Sequence, residues 1–466
     1  MSAGLTPTEP IRLSAYRPTR DDLSTLARLA APVALVQVGL MSMGAIDTVM
    51  VGRVSATDLA AVAIGNLYFF GMAVFGMGIL FALDPVISQA VGAGDDAGVA
   101  RGVQRGGVLA IGLSLVAMAL LVPAGPLLTL ARQPVEVVPV AAAYAHGLIP
   151  GMFPFYAFVV LRQSLQAMAR VRPIVVTVVC ANLVNVGLNW LLVFGNLGMP
   201  RLGAVGSSWA TSTSRWFMLV MLALLSWPML RSSLRPFRRE ALALRPLLRF
   251  LRVGGPIGAQ QWLEFGVFGA AGLLMGLLGT VAVASHQVAL QLAAMTFMIP
   301  VAVAQATSVV VGQAVGSGDP AGARRSVGAG LATVTAFMSM TAAMFLTIPG
   351  PLARLFSTDV EVVSAAAMLL PIAGVFQVFD GLQVGGAGAL RGVGDTRVPM
   401  ILNLVGFWFI GLPACAILGF GLGWGPRGVW WGLALGIGVV AVLLLFRIRR
   451  HFGRELRRLV MDEDEG

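Results

Sequence analysis

The sequence predicts an all-α membrane protein of twelve spanning helices, arranged as two six-helix lobes related by a pseudo-twofold axis. Three observations carry this. Of 466 residues, 57% are hydrophobic and only 11% are charged, and the mean hydropathy is +0.85. A water-soluble domain needs more charge than that to coat its surface, so the solvent is lipid. The apolar residues fall into twelve runs, each of the order of the roughly 20 residues that cross about 30 Å of hydrocarbon. Finally, a motif recurs 224 residues apart, as QAVGAGDDAG at 89–98 and QAVGSGDPAG at 313–322.

Taken in order, the runs are 29–52, 60–82, 103–124, 138–160, 174–195, 203–228, 250–278, 283–311, 328–349, 362–386, 398–420 and 428–447. The fourth and tenth carry internal prolines and glycines. Residues 1–27 are polar and no small-residue cleavage motif closes the first run, so that span is expected to be retained. An even number of spans puts both termini on one side. Net charge is +11 and all 32 basic residues are arginine. On the side of the termini lie Arg12, Arg17, Arg20, Arg28, Arg101, Arg105, Arg162, Arg170, Arg172, Arg324, Arg325, Arg391, Arg397, the cluster 231–252 and the run 447–458. The other side keeps Arg53, Arg132, Arg201, Arg354 and Arg427. The positive-inside rule makes the first side cytoplasmic, for a multi-pass protein of the inner membrane. The same placement, in short loops, excludes nucleic acid as the partner of the positive charge. The expected division is an N-terminal tail and lobe over 1–228, a basic amphipathic linker over 229–249, a second lobe over 250–447 and a cytoplasmic tail over 448–466. Cys180 and Cys415 lie in apolar runs with neither a disulfide framework nor metal-ligand spacing, and read as inert thiols.

At the repeat offset, Ala31-Pro32 meets Gly255-Pro256 and Val205 meets Val429, so the duplication covers each half. Six helices per half make the halves parallel, with a cavity expected between them. The repeated Gly/Asp stretch suits a tight connection after a long helix. Arg101 and Arg325 follow it at headgroup depth. No G-K-[ST] follows, which excludes a phosphate-binding loop of that type.

Ionisable residues within spans are costly, of order +2.5–3.5 kcal/mol, and are functional by default. Asp47 lies in the first span, Asp84 ends the second, Glu264 lies in the seventh and Asp380 in the tenth. None has a basic neighbour in sequence. Such a carboxylate is kept by binding a proton or a hard cation with neutral oxygens around it. The first half supplies Asn182, Asn185 and Asn189, of which the last two share a helix face, then Ser207, Ser208 and Thr211. The second half supplies Gln260, Gln261, His286, Gln287, Gln291 and Gln383. The acids do not repeat: Glu264 aligns with Leu40 and Asp47 with Ala271. His286 reads as a packed polar residue before a proton relay. Arg215 either pairs with an acid or reaches an interface. Met72, Phe75, Met77, Phe297 and Met298 read as packing before cavity lining. Pro32, Pro256 and Pro413 are expected to kink their helices. No nucleophile–base constellation or metal cluster points to an enzyme.

The runs MSMGAIDTVMVGRVSATDLAAVAIGN (41–66), LGTVAVASHQVALQ (278–291), VGQAVGSGD (311–319) and GAGALRGVGDTRVP (386–399) resemble the multidrug and toxic compound extrusion (MATE) transporters of the NorM-like branch. The resemblance covers almost the whole chain. It implies an antiporter, driven by H⁺ or Na⁺ and needing no cofactor, that exports cationic amphipathic organic compounds by alternating access as a monomer among membrane lipids. It places the first-lobe coupling site on Asp47, Asn185, Asn189 and Ser207, and the second-lobe acids on Glu264 and Asp380. Thr211, Gln261, Gln287 and Asp84 are further candidates. Asp84, in an ALD sequence, resembles eukaryotic members. Phe376 stands where some Na⁺-driven members carry tyrosine, which favours protons. The competing reading is a lipid-linked saccharide flippase of the wider superfamily, usually marked by a more cationic centre.

Overall fold

A computed structural model describes residues 13–461, so Arg12 lies outside the described residues. Every element among them is helical. Twelve long helices follow one another: α1 Arg20–Gly52, α2 Ala56–Gly92, α3 Asp96–Leu121, α4 Val138–Ala167, α5 Arg172–Leu192, α6 Gly203–Leu234, α7 Leu244–Leu277, α8 Thr280–Gly316, α9 Pro320–Thr347, α10 Val360–Gly392, α11 Arg397–Gly421 and α12 Pro426–Phe452. Eleven are long and apolar enough to cross a membrane. The exception is α7, where Gln260, Gln261 and Glu264 interrupt the apolar run.

The helices outrun the apolar stretches that announce them. The eighth run, 283–311, sits in a helix of 37 residues, about 55 Å at 1.5 Å per residue. Hydropathy registers only the part in hydrocarbon, whereas backbone pairing continues until a cap stops it. Local breaks have local causes. The fourth span is α-helix on either side of a 3-10 turn at Ile149–Gly151, where Pro150 lacks a donor. In α2 the helix breaks after Leu80 and resumes at Leu83. In α11 π-helical turns cover Leu404–Gly411 and Ile417–Gly421. The stretch 229–249 is shared among the end of α6, a 3-10 turn at Arg239–Leu242 and the start of α7. Gln104 fastens that connection, donating to Ser233 O (2.9 Å) and Pro236 O (3.0 Å) and accepting from Arg238 N (2.8 Å).

The chain divides into two compact units. The first gathers the described residues up to Ala34, Asp84–Gly94 and Leu263–Val460; the second gathers Leu35–Leu83, Asp95–Trp262 and Met461. The first unit is cored by Phe345, Phe376, Phe407, Trp430 and Ile437 around α7, α8, α10 and α12. In the second, Tyr156 donates to Ala73 O (2.9 Å) and Tyr144 packs against Gly65. Large aliphatic side chains such as Leu115, Leu183 and Leu224 are left exposed, as lipid-facing positions require.

The repeated motif has a second reason beyond its turn. Gly94 and Gly318 do supply positive φ (68° and 72°), and Asp95 and Asp319 cap α3 and α9, accepting from Gly98 N (2.7 Å) and Gly322 N (2.8 Å). But the last turn of α2, which the sequence assigns to the first half, lies inside the first unit against the last turn of α8. A Cβ on Gly92 would strike the backbone of Gln313, and one on Gly316 would strike the backbone of Gln89. The two copies of Q-A-V-G thus pack on each other reciprocally, as small residues let helices do in lipid. Gly92→Val is expected to destabilise by about 1–3 kcal/mol through overpacking. Gly107→Ala, whose Cβ meets nothing, is expected to change stability by about 0.5 kcal/mol or less. Thermal unfolding in detergent compares them.

Candidate functional site

Two polar clusters lie inside the helices, one in each unit. In the second unit Asp47, on α1, is buried and meets neutral donors. Asn189 Nδ2, on α5, donates to its Oδ1 (2.6 Å), and Thr211 Oγ1, on α6, donates to its Oδ2 (2.8 Å). Asn189 also donates to Asn185 O (3.0 Å). Asn185 stands beside the same carboxylate without a hydrogen bond of good geometry. Ser207, one turn before Thr211, is buried with its hydroxyl unpartnered and does not reach Asp47. The register of α6 is set at its start. Ser55 and Asp58 cap α2, and Asp58 Oδ1 also accepts from Ala204 N (2.9 Å). Gly203 is left-handed there (φ 56°), and a Cβ would strike Asp58, so the position requires glycine on both counts.

Arg215 lies one turn beyond Thr211. Its guanidinium stacks over Phe69 (4.3 Å) and Phe155 (5.0 Å), so aromatic faces, not a hydrogen-bonded acid or an interface, hold its charge. Asp47 is still within its electrostatic reach. Tyr144, donating to Asn66 Oδ1 (3.1 Å), also feels the Asp47 charge. Asn66 and Tyr144 were not singled out in the sequence. Asn66 closes the first signature run, and a lone amide there was the available signal.

In the first unit Glu264, on α7, accepts from Gln383 Nε2 on α10 (2.7 Å) and from Asn403 Nδ2 on α11 (2.5 Å). Gln383 also reaches Asn403 Oδ1 (3.3 Å). Asp380 lies one turn before Gln383 and interacts electrostatically with Glu264. The indole of Trp408 donates to Leu263 O (3.1 Å), pinning α7 next to Glu264. That indole lies in the π-helical part of α11, which begins immediately after Asn403. π-Turns often mark functional sites. Phe376 is buried among Phe268 (6.1 Å) and Trp430 (5.8 Å), so an apolar wall takes the place of an oxygen one turn before Asp380. His286 is buried against Trp430 (5.6 Å), a packed position. Gln287 is exposed, and the amide nitrogen of Gln261 has no partner.

Two sequence readings change. Asp84, without a basic neighbour in sequence, forms an ion pair with Arg391 (3.9 Å), both side chains being largely buried. Arg391, assigned to a loop, belongs to the last turn of α10 and also feels Glu264. Asn403 was missed, although it is the one amide in an apolar stretch. Asn403→Leu removes a donor to Glu264. Leaving a bond to a charged group unmade costs on the order of 1.4 kcal/mol or more, so substrate export is expected to slow about tenfold. Efflux rates at matched expression measure this.

The MatE family model matches two stretches, residues 32–191 and 256–417, which begin at the two prolines related by the repeat offset. The chain belongs to the MatE family. Among relatives of this MATE chain, the multidrug resistance protein PmpM of Pseudomonas aeruginosa is 36% identical over 94% of both chains. A probable multidrug resistance protein NorM of Bradyrhizobium diazoefficiens is 35% identical over 92% of this chain and 93% of the relative. Among solved structures, the eukaryotic MATE transporter AtDTX14 superposes with a TM-score of 0.86 at 25% identity, covering 94% of this chain and 98% of the other. The MATE chain is accordingly a multi-pass membrane protein of a transporter family, which is not a known class of enzyme.

Proposed function

We propose that the protein is a cation-coupled antiporter of the inner membrane that exports cationic, amphipathic drugs and other toxic organic compounds by alternating access. It acts as a monomer with both termini cytoplasmic. The similarity to multidrug resistance proteins supports the substrate class. The observation that carries the coupling is the pair of intramembrane carboxylate clusters, Asp47 with Asn189 and Thr211, and Glu264 with Gln383, Asn403 and Asp380. Neutral amides and hydroxyls around a carboxylate accept either the ionised or the protonated form, so the charge of each cluster changes when a cation enters or leaves. A ligand shifts a two-state protein only by its differential affinity for the states. Cation binding at an acid and release of an organic cation from the same unit would supply that difference.

Protons are the favoured coupling ion, because the position one turn before Asp380 is the apolar Phe376. Whole cells test the reading. Expression in an efflux-deficient host is expected to lower ethidium accumulation below that of the vector control, and dissipating the proton gradient is expected to restore it. Equal accumulation with and without the protein would overturn the assignment.

A further inference from the structure

We propose that the first unit carries a specific site for one anionic phospholipid, seated between α9 and α12 where Tyr16, Arg449 and an apolar groove meet. The groove has a volume of about 310 Å³ and is lined by Leu331 of α9, Val442, Leu445 and Ile448 of α12, Tyr16 and Arg449. Its chemistry is divided along its length. The lining side chains Leu331, Val442, Leu445 and Ile448 are aliphatic, and Val442 and Phe446 are exposed, as an acyl chain lying between α9 and α12 requires. At one end stands a cationic group, Arg449, in the last turn of α12.

Tyr16 closes that end. It belongs to a short 3-10 turn, Leu13–Tyr16, that precedes α1 and packs on the apolar cluster of Leu390, Leu444 and Ile448. Its backbone carbonyl lies so close to Gly328 of α9 that a Cβ there would collide with it. The chain before α1 is thereby held across the groove. The Tyr16 hydroxyl is buried and has no hydrogen-bond partner. A buried, unmade hydroxyl bond is unfavourable and asks for an acceptor. Burial pushes this hydroxyl above the ordinary tyrosine range, while Arg324 and Arg449 act on it in the opposite sense. Its neighbourhood is therefore cationic. A phosphodiester is an acceptor with a negative charge and attached acyl chains, and it matches the groove, the cation and the donor together. Anionic headgroups are drawn to basic residues at the membrane surface in any case. Here the hydroxyl and the groove add selectivity to that attraction.

The test follows thermal unfolding of the purified full chain in mild detergent. Added dioleoyl phosphatidylglycerol is expected to raise the midpoint by several degrees, saturably. Dioleoyl phosphatidylcholine is expected to do less, and glycerophosphoglycerol, the headgroup without chains, to do nothing. Arg449→Gln and Val442→Trp should each abolish most of the rise. Tyr16→Phe, which keeps the packing, should weaken the apparent affinity severalfold while leaving the lipid-free midpoint in place. A rise of equal size and midpoint concentration in Tyr16→Phe and Val442→Trp would overturn the site. So would an equal rise with glycerophosphoglycerol, which would mean that a free phosphate ester binds and no lipid is needed.

Discussion

Asp380→Asn is expected to reduce ethidium export to the level of the vector control while the protein reaches the membrane in normal amount. The substitution is nearly isosteric, so the packing of α10 and the bonds from Gln383 and Asn403 to Glu264 should persist. What disappears is a group that, on the proposed function, would exchange a charge with Glu264 as its neighbour. Asp380 and Glu264 interact electrostatically, so the charge of either one bears on the other. Removing one leaves Glu264 with its amide donors but without its acidic neighbour. Export from everted vesicles, normalised to protein amount, is the measurement. Unchanged export in the variant would remove Asp380 from the coupling machinery.

Asp47→Asn is the second large effect, and its control makes it informative. The amide cannot take up or release the coupling cation's charge, so export should again fall to background. Thr211→Val keeps the carboxylate and its bond from Asn189 but removes the hydroxyl donor. Loss of one donor to a charged group is worth about 1.5–3 kcal/mol, so the Val variant should retain export slowed by about tenfold or more. Equal loss in both variants would mean that Asp47 serves packing in its unit instead of charge exchange. Because the two halves carry their acids at non-equivalent positions, the two substitutions need not fail in the same way. A substrate-binding assay on detergent-purified protein separates lost binding from lost turnover.

The fold was legible because its determinants are local. Apolar run length gives eleven of the spans, and the QAVG repeat, with prolines at 32 and 256, points to the duplication. The helix ends were less legible, since pairing along the backbone continues past the apolar run, as in Thr280–Gly316. The acids stood out as isolated charges in apolar sequence. Their partners did not. Glu264 meets Asn403 across 139 residues and Asp84 meets Arg391 across an even longer stretch, and no periodicity within one helix reports a contact between helices. Ser207 shows the converse: it has the right residue type on the right helix, yet its hydroxyl makes no bond to Asp47, whereas that of Thr211 does. The glycines of the repeat were read for their turn. Their closer function, letting Gly92 and Gly316 each approach the other copy's backbone, depends on the fold.

Proteoliposomes test the central claim most directly. The purified protein, loaded with an organic cation on one side, is given either a pH gradient or a Na⁺ gradient, each alone and with the membrane potential clamped. The account predicts substrate movement against its own gradient when protons run the opposite way, with no comparable movement under Na⁺ alone. Transport that depends on neither gradient would contradict cation-coupled antiport. Transport driven by Na⁺ alone would contradict the proton assignment drawn from the apolar wall at Phe376.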